Sequence, residues 1–190
     1  KAGQGISLTT TTGAYLSATE QSNVSSFRRL MQAVNGNYSP LSILGFDSHG
    51  YIDAQILGSY TTSDRTVLEG LNLGAYAPFY LGSATRATLS GTLVAPAAGL
   101  QAGNRSLYLA GVGDGRLAVR SYLSNATGVD KVVVGESTGF NNGGTVAIFG
   151  RNKYTGGTTL LSGTLEVGAG TRFSAGALAA GPLGTGSLLV

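Results

Sequence analysis

A short phrase recurs in the second half of this 190-residue chain: a glycine, then a small or polar residue, then apolar residues. Its five copies begin at Gly91, Gly115, Gly144, Gly163 and Gly186. Self-similarity at intervals of roughly 20–50 residues is typical of stacked coils, in which one unit is too small to bury its own apolar face. The pattern therefore predicts an all-β fold, a parallel β-helix (β-solenoid).

The alternative is a β-sandwich, whose strands recur about every 8–12 residues. The glycine phrase repeats at about twice that interval and leaves room for further strands between its copies, which favours the β-helix. In a β-helix the apolar positions should stack in columns inside one continuous core. The predicted columns are Leu89, Leu93, Leu117, Val119, Val132, Val134, Val146, Ile148, Leu165 and Val167.

Composition excludes several classes of function. Charged residues make up 11% of the chain, against about 25% in ordinary soluble domains. The net charge is only +3 and the basic residues are scattered, so we predict no nucleic-acid partner. The absence of cysteine excludes disulfides, thiolate metal sites and thiol nucleophiles. No apolar run approaches the roughly 20 residues of a membrane span, and we predict no membrane insertion.

Two regions are predicted along the chain. Residues 1–86 form an irregular, β-rich amino-terminal region, and residues 87–190 form the solenoid repeats. Within the first region, residues 25–36 have apolar side chains at helical spacing, a serine to begin the helix and Gly36 to end it. We expect this short helix to cover an open end of the stack, because an uncovered coil presents an exposed edge.

Residues 144–190 contain a specific sequence motif in addition to the repeated glycine phrase. They contain the run Asn152, Lys153, Tyr154, Thr155, Gly156, Gly157, Thr158, followed by Gly163 and Leu165. This stretch resembles the autotransporter-associated β-strand repeat, also called the passenger-associated transport repeat. The resemblance implies a right-handed parallel β-helical stalk in a secreted or surface-exposed bacterial protein, and it brings no catalytic residue with it.

The motif also has a physical interpretation. The Tyr154 ring can pack on the stack of coils, while Asn152 bonds the backbone of a turn. Gly156 and Gly157 permit the positive φ of a tight corner. We therefore predict that Asn152, Tyr154, Thr155, Gly156, Gly157, Thr158, Gly163 and Leu165 are structural residues.

Candidates for catalysis are few. The only histidine is His49, in a turn-like segment, and a zinc site would need more histidines or cysteines. Asp47, Asp53 and Asp64 would converge only if neighbouring coils aligned them. We predict no catalytic, cofactor-binding or metal-binding residue.

Aromatic residues support the alternative function, a glycan-binding or glycan-cleaving β-helix module. Tyr76, Phe79 and Tyr80 cluster around Pro78 and are the best candidates for an exposed aromatic surface that stacks on sugars. The favoured interpretation of this cluster is ordinary packing at the edge of a strand.

The final copy of the phrase comprises Gly186, Ser187, Leu188, Leu189 and Val190. A strand here would present unpaired backbone groups and an uncovered apolar layer, which proteins normally pair or cover. Either the chain is a piece of a longer protein, or this edge docks on another copy. For the second case we predict that residues 186–190 pair with another subunit near its amino-terminal region, a head-to-tail contact that can build a filament. The predicted function is a non-enzymatic extracellular structural protein, either a surface adhesin stalk or a subunit of a self-assembling surface filament. Surface glycans are a second predicted kind of partner.

Overall fold

The computed structural model describes residues 15–20, 30–31, 33–34, 42–48, 66–74, 78–96, 105–135, 143–174 and 177–190. Most of its strands lie in two parallel sheets. Sheet A contains, in spatial order, β1 (Tyr15–Glu20), β2 (Ile43–Ser48), β4 (Tyr80–Ser83), β6 (Ser106–Gly111), β8 (Lys131–Val134), β10 (Thr158–Leu160) and β14 (Leu188–Leu189). Sheet B contains β3 (Thr66–Asn72), β5 (Arg86–Val94), β7 (Arg116–Val119), β9 (Thr145–Ile148) and β11 (Thr164–Val167).

From β2 to β11 the described strands alternate between the two sheets, so that each coil adds one strand to each. A third side of the coil, here called side C, lies at residues 92–94, 122–124 and 152–153. Thr92 bridges to Tyr122 and Ser124 bridges to Lys153, both in parallel register. Stacked parallel strands on successive coils are the defining feature of a parallel β-helix, and this predicted fold class is confirmed. Both sheets continue across residue 86, the predicted boundary between two regions, through the pairs β4 with β6 and β3 with β5.

The β-sandwich alternative is wrong, because its strands would pair as antiparallel hairpins. Among the described strands the antiparallel pair is β12 (Arg172–Ser174) with β13 (Ala177–Ala180), a hairpin outside both sheets. A short 3-10 helix at Asn125–Thr127 follows side C in one coil.

Apolar side chains from both sheets fill one continuous core. Eight of the ten residues predicted for its columns are buried. Leu165 is only partly buried, and the prediction for Val167 is wrong, because its side chain is 51% exposed. Both residues lie in β11, which ends sheet B, so no further described strand covers them.

The glycine phrase marks corners of the coil. The copies that begin at Gly115, Gly144 and Gly163 precede strands of sheet B, which pair in register through Leu117, Val146 and Leu165. The copy at Gly91 turns the chain from sheet B to side C, and the copy at Gly186 precedes β14 of sheet A. A glycine before an apolar strand therefore occurs at more than one corner of the coil, and the five copies do not all occupy one sheet.

Part of the predicted helix at residues 25–36 falls among the described residues. Leu30, Met31, Ala33 and Val34 are helical. Leu30, Met31 and Val34 are buried in the same apolar cluster as Leu44 of β2. Their burial is what the predicted covering role requires, while the ends of the helix lie outside the described residues.

A second apolar cluster lies apart from the main core. Ile43, Tyr80, Tyr108 and Val133 come from successive strands of sheet A and are all buried. The rings of Tyr80 and Tyr108 meet edge to face, with 5.2 Å between their centroids. Phe79 is also buried, so Phe79 and Tyr80 form no exposed aromatic surface, in agreement with the favoured interpretation of the cluster as ordinary packing. Tyr76 lies outside the described residues.

Candidate functional site

Asn152 connects three neighbouring coils through its side-chain amide. Its Oδ1 accepts a hydrogen bond from the backbone N–H of Leu123 at 2.9 Å. Its Nδ2 donates to the carbonyl oxygen of Pro182 at 2.7 Å and to that of Phe149 at 3.2 Å. The residue is fully buried, so these bonds satisfy backbone groups that could not reach water. The structure thus places Asn152 at a structural position on side C.

Tyr154 fills the core beside this amide. Its ring belongs to the main apolar cluster and its hydroxyl lies 2.6 Å from the Thr158 hydroxyl. The Thr158 hydroxyl also donates to the carbonyl oxygen of Leu183. Burial raises the pKa of Tyr154 to about 12, although the hydrogen bond with Thr158 opposes the shift. A phenol held neutral in this way stabilises the stack, and it has no access to a solvent-borne substrate.

The remaining motif residues shape the corner before β10. Gly157 has φ of +78°, and a Cβ atom there would overlap the carbonyl oxygen of Ser187 in the next coil. A Cβ atom at Gly156 would approach the carbonyl oxygen of Asp130 to 2.7 Å. Thr155 is exposed and receives a hydrogen bond from the Asn125 amide at 3.3 Å. Gly163, with φ of +76°, forms the corner before β11. These glycines let successive coils approach closely on both sides of the corner.

The carboxyl-terminal end of the solenoid carries an apolar surface. Of the seven large hydrophobic residues that are exposed among the described residues, six lie between positions 161 and 190. We call five of them the terminal edge: Leu161, Val167, Leu188, Leu189 and Val190. Exposure reaches 63% at Leu189 and 85% at Val190. The predicted assembly edge at residues 186–190 thus contains the two most exposed large hydrophobic residues of the described chain.

Among the described strands, sheet A extends one strand beyond sheet B at each end. At the carboxyl-terminal end, β14 follows β10, while sheet B stops at β11. At the amino-terminal end, β1 precedes β2, while sheet B starts at β3. Among the described strands, β14 pairs only with β10 and β1 only with β2. Within the described part of the chain, sheet A thus begins with β1 and ends with β14.

Three of the described carboxylates have partners within the fold. Asp47 accepts hydrogen bonds from the hydroxyls of Tyr15, Ser17, Ser83 and Thr85 and from the backbone N–H of Ala84. Burial, and then the negative charge of Asp47, raise the pKa of Tyr15 well above its usual value.

Two other carboxylates form ion pairs. Asp130 pairs with Arg105 at 3.2 Å, and Glu166 pairs with Arg116 at 2.8 Å. Within the part of the chain that the structure describes, no three His, Asp or Glu side chains gather as a metal site would need. His49, Asp53 and Asp64 lie outside that part, so their predicted roles are untested.

One feature of the surface escaped the sequence analysis. Arg120 places its guanidinium carbon 4.6 Å from the centroid of the Phe149 ring, and that of Arg116 lies 5.9 Å from the same centroid. A Cβ atom at Gly168 would overlap the ring, so Phe149 also lies against the backbone of the next coil. The sequence signal is an arginine and a phenylalanine, each directly after the apolar part of a phrase copy. The contact between these two residues can be predicted only when the register between the phrase copies is known.

Together these features define the class of the protein as a parallel β-solenoid with an apolar carboxyl-terminal edge. No family model matches the chain, and comparisons with curated proteins and with solved structures also found no match. The resemblance to the autotransporter-associated repeat therefore remains a prediction based on residues 144–190. None of the described helical residues belongs to a helix long and apolar enough to cross a membrane.

Proposed function

We propose that this chain is a non-enzymatic structural segment of a secreted or cell-surface bacterial protein, and that it associates end to end as a stalk or a filament subunit. The observation that carries the proposal is the terminal edge, which exposes β14 and the apolar side chains around it. An edge with unpaired backbone groups and apolar side chains is a template for a further strand.

The occupant we assign to this edge is a second copy of the chain. In that contact β14 of one copy lies beside β1 of the next, because both are end strands of sheet A and all strands of that sheet run parallel. A head-to-tail contact of this kind uses two different surfaces, and it builds a filament when the rotation between copies does not close a ring. The small net charge of +3 offers little repulsion between copies.

The residues of the repeat motif support a structural role. The polar side-chain groups of three motif residues form hydrogen bonds within and between coils: Asn152, Tyr154 and Thr158. Asp130 is likewise held by Arg105 on the neighbouring coil, and Glu166 is held by Arg116 two coils away. A solenoid whose polar groups are used in this way is suited to bearing load or presenting a surface.

Sedimentation velocity over a range of protein concentrations tests the proposal. The wild-type chain should form species larger than a monomer, in amounts that rise with concentration. The double variant Leu188→Asp/Leu189→Asp should stay monomeric, because charged side chains on the edge oppose strand addition. Ala126→Asp, an exposed position in the 3-10 helix, is the matched control and should assemble like the wild type. A wild-type chain that remains monomeric at every concentration would refute end-to-end association.

A further inference from the structure

The outer surface where sheet B turns into side C carries positive charge and aromatic rings on successive coils. Val119 pairs with Ile148, and Ser124 pairs with Lys153, with the same offset along the chain. This register places Arg120 beside Phe149 and Tyr122 beside Arg151. We call the surface formed by Arg120, Tyr122, Phe149, Arg151 and Lys153 the basic corner.

The side chains of the basic corner face solvent. Arg120, Arg151 and Lys153 are exposed, and Tyr122 is 49% exposed. The residues between them on side C, Leu123 and Asn152, are buried, as strand alternation requires. Exposed cationic and aromatic side chains therefore alternate with buried core side chains along the same coils.

The cationic groups of this corner have few acidic neighbours. Among the described residues, Arg120, Arg151 and Lys153 form no ion pair with a carboxylate. Glu166 is the nearest acidic residue in the register of sheet B, and Arg116 already holds it with two nitrogen atoms at 2.8–3.0 Å. The corner thus presents unneutralised positive charge in a chain whose overall charge is small.

Arg120 is also held in place before any ligand arrives. Its guanidinium lies 4.6 Å from the centroid of the Phe149 ring, which in turn rests on Gly168. A cation over an aromatic face is attracted to it, and an ordered side chain loses less freedom when it binds. The guanidinium group of arginine has a planar set of N–H donors that matches the two oxygens of a carboxylate. Successive coils lie about 4.8 Å apart, the spacing between paired strands, so the cationic side chains of neighbouring coils lie close together.

From these observations we propose that the basic corner binds an acidic polysaccharide, one whose sugar rings carry carboxylate groups. Arg120 and Arg151 would each bind a carboxylate through charge-assisted hydrogen bonds, and Lys153 would add a third positive charge. The exposed ring of Tyr122 would pack against the apolar face of a sugar between them. This function goes beyond the structural role proposed above and does not depend on end-to-end association.

An acidic glycan fits this corner better than a nucleic acid does. Single-stranded nucleic acids bind grooves in which a positive track accompanies several stacking rings. The described part of this corner offers Tyr122 as its open ring, since one face of Phe149 is already covered by Arg120. Nucleic-acid binding is therefore the competing outcome of the test.

The test is titration calorimetry with polygalacturonate, and with highly methyl-esterified polygalacturonate as the uncharged polymer of the same sugar. Wild-type protein should bind the acidic polymer, bind the esterified polymer at least about tenfold more weakly, and lose affinity as salt rises from roughly 0.05 to 0.5 M. The double variant Arg120→Ala/Arg151→Ala should raise Kd about tenfold or more. Lys131→Ala, which removes one positive charge from sheet A, is the control and should change Kd by less than about twofold.

Two further measurements keep the test decisive. Tyr122→Ala leaves every charge in place and should weaken binding about three- to tenfold. Repeating the titration with Leu188→Asp/Leu189→Asp should give the same Kd per chain, which separates intrinsic binding from the avidity of an assembly. Circular dichroism melts establish that each variant is folded, and Lys153→Ala replaces the double variant if that one is not. Equal affinity for both polymers, tighter binding of single-stranded DNA, or unchanged affinity in the folded variants would overturn the proposal.

Discussion

The side-chain oxygen of Asn152 accepts a hydrogen bond from the backbone N–H of Leu123, one coil away, at 2.9 Å. The nitrogen of the same amide donates to Pro182, in the following coil, at 2.7 Å. One buried side chain therefore ties together three successive coils on side C. The strength of this connection can be measured.

Asn152→Leu should destabilise the protein strongly. The substitution leaves the Leu123 N–H and the Pro182 carbonyl buried without partners, and each unsatisfied group costs about 1–3 kcal/mol. We expect a loss of about 2–5 kcal/mol in the free energy of unfolding, measured by urea denaturation. Asn125→Ala is the control, because Asn125 is partly exposed and its neighbours can bond to water instead. Equal losses in the two variants would contradict the role assigned to Asn152.

Stability should fall at alkaline pH because Tyr154 is buried as a neutral phenol. Its pKa is raised from 10.0 to about 12, whereas in the unfolded chain it keeps its ordinary value. Between pH 10 and about 12 the Tyr154 phenol ionises in the unfolded chain but stays neutral in the folded one. The contribution of this phenol to the free energy of unfolding is therefore complete below pH 10 and is lost as the pH rises towards 12. Tyr154→Phe should reduce the slope of the urea midpoint against pH in this range. Tyr15, whose pKa is also raised, should account for part of the remaining slope.

The loss of unfolding free energy on a core substitution should depend on how deeply the substituted side chain is buried. Leu117 is fully buried, and Leu117→Ala should cost about 2–5 kcal/mol of unfolding free energy. Leu165 occupies the equivalent position two strands further along sheet B but is only partly buried. Leu165→Ala in the monomeric Leu188→Asp/Leu189→Asp background should therefore cost about half as much or less. A larger loss at Leu165 than at Leu117 would show that the end of sheet B is covered.

Alanine substitutions at two glycines with positive φ distinguish the cost of backbone strain from the cost of a clash with the neighbouring coil. Gly157 has φ of +78°, and a Cβ atom there would overlap Ser187, next to β14. Gly113 has φ of +57°, and a Cβ atom there would meet no atom within 4 Å. Gly113→Ala should cost about 1 kcal/mol, from strain alone, and Gly157→Ala should cost more. Amide hydrogen exchange should speed up at Leu188 and Leu189 in Gly157→Ala only. The same response in both variants would mean that the contact with Ser187 is unimportant.

The fold could be predicted from the sequence because its physical requirements repeat. Gly115, Gly144 and Gly163 each precede an apolar strand, and these strands do stack in register. The phrase could not show which corner of the coil each copy occupies, since a glycine before an apolar strand serves any corner. For that reason the copies at Gly91 and Gly186 fall on other sides of the coil.

Contacts between coils were the least predictable part of the site. The reach of Arg116 to Glu166 crosses the intervening strand β9, and no local pattern indicates it. The sequence left open whether Tyr80 is exposed or packed at a strand edge, and it is buried beside Tyr108 from the next coil. The spacing of Asn152 and Tyr154, by contrast, indicated a buried structural pair, because that pair acts within its own turn and the coils directly beside it.

Negative-stain electron microscopy of the wild-type chain at increasing concentration tests the central claim most directly. The account predicts unbranched rods of uniform width that lengthen with concentration, because each copy extends sheet A of the one before it. The Leu188→Asp/Leu189→Asp variant should show only short particles one chain long, and Ala126→Asp should form rods like the wild type. Single short particles at every concentration, or irregular clumps in place of rods, would contradict the account.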